Sequence, residues 1–344
     1  MSTTRALLVL VVAAGCGGRY PGPAAPTGRP APEKAAMPKG GIESAALPYV
    51  VLDGRTGRQL DEAAFWPRLA QARAVCIGEE HPNPHHHWVQ LHAVRRLVAA
   101  RKDEALALGL EMIQRPFQGV LDDYAAKRID ADALKSRTGW EERWGYDFGF
   151  YGPTLDVALA AGAKLLALNA SRELTKKVSR QGLESLTPDE RAQVPELKLD
   201  DVRHRAWFDG LMNEMGGAHA HGRRAEDKDE AGDPHGEPAG KPDRSDKAGK
   251  PAMPSAERIY TVQVLWDETM ADLGARWLAA NPRGRLIILA GNGHCHDSAI
   301  VGRLKRRGTT DVLSVRPVID LEGNVAEVLA KPMNDYVFVL QMPK

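Results

Sequence analysis

Short apolar runs recur at wide intervals along the chain, and most stop at a glycine or a polar residue. Ala74-Val75-Cys76-Ile77 stops at Gly78, and Leu286-Ile287-Ile288-Leu289-Ala290 stops at Gly291. Uninterrupted runs of this length fit strands buried on both faces. Residues 105–111, 164–169, 312–315 and 336–341 read the same way, with a further short strand at 48–52. Between the runs the apolar period changes to that of a helix. Ala64, Phe65, Leu69 and Ala72 mark one helix over 60–72. Leu91, Val94 and Val98 mark a second, opened by Asn83-Pro84 as N-cap and first turn. Further helices are predicted at 117–126, 130–134, 154–162, from Ser171 onward, and at 297–307. A strong helix over 259–280 carries Val264, Leu265, Thr269, Met270 and Leu273 at helical spacing. Strands alternating with helices predict an α/β fold, with a mostly parallel sheet covered by helices on both faces. The stretch 174–278 reads as a helical insertion or cap. Inside it, residues 216–256 hold almost no large apolar groups and are expected to be a long disordered loop.

The amino terminus follows a different logic. Arg5 precedes an apolar stretch from Ala6 to Ala14, and Ala13-Ala14-Gly15-Cys16 resembles the lipobox of bacterial lipoproteins. Residues 1–16 are therefore expected to be a lipoprotein signal peptide, with Cys16 acylated. Gly17 in place of Asp points by analogy to the outer membrane. Residues 17–47, rich in Pro, Gly and Ala, read as a flexible tether to a domain at 48–343. A net charge of +1 gives no reason to expect a nucleic-acid partner. Beyond Cys16 only two cysteines remain. Cys76 reads as a small core residue, and Cys295 sits between His294 and His296. Two cysteines make no disulfide framework and could pair only if the fold joined them. Both lie at strand ends expected near each other, so a bridge stays open, but separate thiols are the expectation.

The candidate chemistry gathers at strand ends. Gly78-Glu79-Glu80-His81 and Gly291-Asn292-Gly293-His294 each place a histidine just past a strand, about two hundred residues apart. Glu111, Asn169 and His296 fall at equivalent ends. Imidazoles and carboxylates drawn from separate elements suit a transition metal such as Mn, Co, Zn or Fe. His81, His294, Glu79, Glu111 and His296 form the candidate ligand set, with Glu111 or Glu80 as the proton acceptor from metal-bound water. The plain alternative is that these groups cap helices and bond neighbouring loops. His85, His86 and His87 begin a helix, and the plain reading there is a solvated helix start. His85 and His86 could instead face haem propionates. Tyrosinate is an axial-ligand type for ferric haem, which makes Tyr146, and after it Tyr151, candidate ligands; otherwise the aromatic run around them packs a cap on the sheet. His219, His221 and His235 fall in the polar loop and read as solvated. No Walker loop, nucleophile elbow or His-Glu-x-x-His helix occurs.

Taken in order, Gly78-Glu79-Glu80-His81, Asn83-Pro84 and His86, Gly109-Leu110-Glu111-Met112, Trp266-Asp267-Glu268-Thr269-Met270-Ala271 and Gly291-Asn292-Gly293-His294 resemble the ChaN-type haem-binding lipoproteins. That family sits in a superfamily with the TIKI metalloproteases, the TraB proteins and, more distantly, erythromycin esterase. The resemblance covers residues 48–342 apart from the polar loop. It implies an outer-membrane lipoprotein of haem and iron uptake, with an outer-membrane haem receptor as partner. It also implies haem held between the two protomers of a homodimer, with tyrosine on iron and histidine near the propionates. From the TIKI branch it implies instead a metal-dependent peptidase or esterase built on His81, Glu111 and His294. A third reading is a lipid-anchored scaffold with a vestigial site.

Overall fold

The computed structural model describes residues 42, 47–100, 104–221, 254–321 and 323–341, with no side chains beyond Asn213 in the helix ending at His221. The expected signal peptide with Cys16, most of the tether, and the polar loop from 222 to 253 lie outside the described residues. In chain order the elements are β1 (Tyr49–Asp53), β2 (Gln59–Leu60), α1 (Glu62–Gln71), β3 (Ala74–Ile77), α2 (Pro84–Ala99) and β4 (Leu106–Gln114). Then come α3 (Gln118–Ala125), α4 (Ala131–Thr138), α5 (Trp140–Arg143), α6 (Gly152–Ala160), β5 (Lys164–Asn169), α7 (Arg172–Gln181), α8 (Pro188–Arg191) and α9 (Val202–His221). The chain continues with α10 (Ala256–Ala280), β6 (Arg285–Leu289), α11 (Ile300–Arg306), β7 (Val312–Ile319), α12 (Asn324–Ala330) and β8 (Tyr336–Leu340).

Eight strands form one sheet in the order β2-β1-β8-β7-β3-β6-β4-β5. From β8 to β5 all pairings are parallel, and β1 runs antiparallel to β8. The α/β expectation holds, and the reason is visible in β3, β4 and β6. Every residue of β3 and β4 is buried, as parallel strands flanked by helices on both faces must be. One apolar layer packs α1, α2 and α6 on the sheet through residues such as Phe65, Leu91 and Leu155. The opposite layer packs α7, α10 and α11 through Val178, Leu265, Met270 and Leu304. The predicted helical excursion thus supplies a full layer over the sheet as well as the outlying α9.

Strand order places the site. The chain leaves β3, skips a position to form β4 and then β5, returns to insert β6 between β3 and β4, and crosses to the other side of β3 for β7. Ile77, Leu289 and Leu110 lie level across β3, β6 and β4. Their carboxyl ends therefore open on one edge, beside the reversal in strand order where open α/β sheets bind ligands.

Some boundaries differ from the pattern. Helix α9 continues to His221, past the expected break at 216, over Ala218-His219-Ala220-His221 where alanine favours a helix. Strand β7 extends to Ile319 because Val318 packs with Val337 and Val339 in a separate small cluster. Helix α12 is too short for its period to show in the sequence. Among the described residues no helix is long and apolar enough to cross a membrane.

Candidate active site

The two histidine turns converge. Backbone hydrogen bonds join them directly, with the Asn292 N–H donating to the Glu79 carbonyl at 2.8 Å. Glu111, one residue beyond Leu110 on β4, accepts from the Gly291 N–H at 2.6 Å. Gly291 leaves room for both side chains. A β-carbon would stand 3.0 Å from His81 Cε1, 3.3 Å from His81 Nε2 and 3.6 Å from Glu111 Oε2, so both side chains lie against its backbone. From the other side His294 Nε2 stands 3.4 Å from Glu111 Oε1. Asn169, at the end of β5, donates to the Glu111 carbonyl at 3.0 Å and holds that residue's backbone.

Each imidazole is aimed by a buried carboxylate behind it. Glu79 Oε1 lies 2.6 Å from His81 Nδ1 and accepts from the Tyr151 hydroxyl at 2.8 Å, while its other oxygen is 3.4 Å from His87 Nδ1. Asp267 Oδ1 lies 2.6 Å from His294 Nδ1, and its Oδ2 is 3.1 Å from His204 Nε2 and 3.8 Å from Arg303. An ionised carboxylate only accepts, so Nδ1 of both histidines donates and Nε2 is left for the Glu111 side. All of these side chains are buried. Burial alone would push Glu79 up, but His87 and His81 outweigh it and hold Glu79 at about 2. Asp267 is likewise pushed up by burial and brought well below its ordinary range by Arg303 and His294. Burial disfavours charge on both imidazoles. Glu111 and Asp267 nevertheless raise His294 to about 9, and Glu79 and Glu111 raise His81. The site is thus a closed array of carboxylates and imidazoles around Glu111.

The predicted residues divide at this point. His81, Glu79, Glu111 and His294 come together, but not as one coordination sphere. Among the described residues no three His, Cys, Asp or Glu side chains are arranged to hold a metal ion. Glu79 is already taken up by His81, His87 and Tyr151. His296 lies on the far side of its turn, with Ser298 Oγ 3.2 Å from Nδ1 and the Trp207 ring at 4.5 Å. Glu80 is half-buried, and its carboxylate acts on Arg316. The solvated helix start is not observed. His86 is buried and accepts from the Glu80 N–H at 3.0 Å; burial lowers it to about 3, so it is neutral and its Nδ1 is spent. Its proton therefore sits on Nε2, while His85 is the half-buried member of the run. Tyr151 is lost as an iron ligand. It is buried, its hydroxyl is held by Glu79, and burial together with that carboxylate raises it well above 10. Tyr146 is different: its ring is half-buried, 5.0 Å from His81 and 5.5 Å from Trp144, on a backbone pinned by the Trp140 indole N–H.

Sequence reasoning assigned no role to His87, His204, Asp267 or Arg303, although Asp267 stands in the motif that carries the resemblance. Asp267 had a signal: with Glu268 it lies between the apolar residues Val264-Leu265-Trp266 and Met270-Ala271, where acids need partners.

The expectation of two separate thiols is overturned. Cys76 and Cys295 form a disulfide, with Cα atoms 5.4 Å apart across 219 residues of sequence. Insertion of β6 beside β3 sets the turn after Gly291 next to Cys76, a neighbourhood that depends on strand order and not on either local sequence.

A family model described as haem-binding uptake, Tiki superfamily, ChaN matches residues 65–304, which contain both turns. The chain belongs to the ChaN family. It is also similar in structure to the ChaN of Campylobacter jejuni, described with cofacial haem binding. There the TM-score is 0.59 at 16% identity, over 86% of this chain and 97% of that one. An erythromycin esterase, EreC, in its open conformation matches more loosely, with a TM-score of 0.40 and 14% identity over 80% of this chain and 77% of that one. A curated relative, Protein RETICULATA-RELATED 5, chloroplastic, from Arabidopsis thaliana, is 31% identical over 137 residues. Those residues are 38% of this chain and only 18% of that protein's length.

Proposed function

We propose that this ChaN-family protein binds haem for uptake of haem or iron, held at the outer membrane of a bacterial envelope by a lipid on Cys16. Membership of a haem-binding uptake family over residues 65–304 carries the reading. The site offers a fitting group in Tyr146, a half-buried phenol beside buried His81 and Trp144. An anionic phenol oxygen is the kind of axial donor that ferric haem accepts. Tyr146 would hold the iron, Trp144 and His81 would back its ring, and half-buried His85 would face a propionate. A homodimer with haem between its protomers, and delivery from an outer-membrane receptor, belong to the same proposal. The Cys76–Cys295 bridge agrees with it, because disulfides persist in oxidising compartments such as the envelope. Haem titrated into the purified protein is expected to give a saturable Soret band at stoichiometric ratio. Tyr146→Phe should abolish or strongly shift that band, and His81→Ala should weaken it. Absence of a specific band in the unaltered protein would end the reading.

A second reading rests on a different observation: Nε2 of His81 and of His294 are both directed to the Glu111 side, while a buried carboxylate fixes each ring from behind. Imidazoles so fixed can move protons in ester or peptide hydrolysis. His81, Glu111 and His294 are not arranged as a coordination sphere here; a divalent metal held by them would have to replace the 3.4 Å contact between His294 Nε2 and Glu111 Oε1. Elemental analysis of the purified protein is then expected to show Mn, Co, Zn or Fe that His294→Ala loses. Ester or peptide cleavage should disappear in the same variant. Protein with neither metal nor cleavage sinks this alternative.

A further inference from the structure

The bridge between Cys76 and Cys295 is joined to the site at both ends. Cys76 lies in β3, two residues before Gly78 and three before Glu79. Cys295 directly follows His294, its N–H donates to the Gly291 carbonyl at 3.1 Å, and its carbonyl accepts from Asn334 Nδ2 at 2.6 Å. Past the strand ends the Ala290 N–H donates to the Ile77 carbonyl at 3.4 Å, and the Asn292 N–H to the Glu79 carbonyl at 2.8 Å ties the two turns themselves. Beneath that contact the turns pack so closely that a β-carbon on Gly78 would fall 2.1 Å from Asn292 Oδ1. Both cysteines have 0% exposure, which makes the bridge a resident strap rather than an exchanging thiol pair.

We propose that Cys76 and Cys295 are positioning residues of the site: their disulfide sets the spacing of the two histidine turns across Glu111, and ligand binding depends on it. Strand pairing ends at Ile77 and Leu289. Beyond those residues the register of the sheet no longer fixes where His81 and His294 stand. A covalent link between the second-last residue before Gly78 and the residue after His294 restores that control where groups must be held to within about half an ångström. The two turns then move as one piece.

The bridge also closes a loop of 219 residues and so restrains the unfolded chain. The test must therefore separate positioning from overall stability. The Cys76→Ala/Cys295→Ala double variant of the full chain is compared with the oxidised protein by hydrogen-exchange mass spectrometry and by haem titration. Peptides covering 78–82 and 290–298 are expected to lose protection while those in β4 and β5 keep theirs. Haem affinity, which rests on the proposed function, should fall on the order of 10–100-fold, the usual consequence of losing a group that orients ligands. If the alanine pair fails to fold, Cys76→Val/Cys295→Ala refills the apolar volume without the bridge and gives the same comparison. Even loss of protection across the whole sheet, or unchanged protection at both turns, would overturn the proposal. Lack of a Soret band in the unaltered protein would remove the haem reading and leave the exchange result to decide the role of the bridge.

Discussion

Asp267→Ala is expected to lower the unfolding free energy by about 3–5 kcal/mol, the range for deleting one member of a buried charge cluster. Asp267 is fully buried and faces three groups at once, His294, His204 and Arg303. Its removal takes away their shared counter-charge, leaving Arg303 with Glu268, His294 with Glu111 and His204 without the carboxylate it faces. The adjacent Glu268 is the control. It is equally buried and bonded to Arg303, Arg306 and Arg307, but the last two reach solvent, with side-chain exposures of 32% and 15%. Water can re-solvate them when Glu268 is lost, so Glu268→Gln should cost less. Urea denaturation followed by circular dichroism gives both values. Equal losses would mean that the cluster around Asp267 is not the more tightly closed of the two.

Asp267 also shows where the sequence was readable and where it was not. Strands β3, β4 and β6 could be read because an apolar run closed by glycine or, in β4, by Glu111 has few other uses, although β4 itself runs on to Gln114. His81, Glu111 and His294 were found that way, and the parallel sheet followed from the alternation of runs and periods. The groups behind them were hidden. His87 and His204 lie on helices among polar neighbours, where a histidine on a buried face and one on a wet face have the same local sequence. His86 was misread for that reason. The disulfide was hidden by topology, since nothing near Cys76 or Cys295 states that β6 inserts between β3 and β4. Tyr146 ranks ahead of Tyr151 in the sequence, but only tertiary packing gives the physical difference, with one half-buried and the other under Glu79. Local patterning thus identified the side chains that face the crevice. The second row that aims them depends on which helices the sheet collects on each face.

Stability should follow a profile with two shoulders set by the same array. Glu79 has an ordinary value of 4.5 and is held at about 2, so its ionised form is favoured by folding. That contribution is complete above 4.5 and is lost as pH falls through about 2. Asp267, lowered further by Arg303 and His294, acts in the same direction. His294 runs oppositely, raised from 6.5 to about 9. Its contribution is complete below 6.5 and disappears as pH rises through about 9, with His81 adding to the same loss. Each shift of this size corresponds to about 3 kcal/mol. His86, held at about 3, and His296, held well below 6.5 by burial, act opposite to His294 and withdraw stability as pH falls below 6.5. The unfolding free energy is therefore expected to be greatest near pH 6.5, to decline toward pH 9, and to fall steadily and then steeply in acid. Urea titrations from pH 3 to pH 10 measure the curve. His294→Gln assigns the alkaline shoulder, since glutamine keeps a donor toward Asp267 but cannot titrate. A variant that kept the full decline between pH 6.5 and 9 would show that the proton lost there is not held by His294.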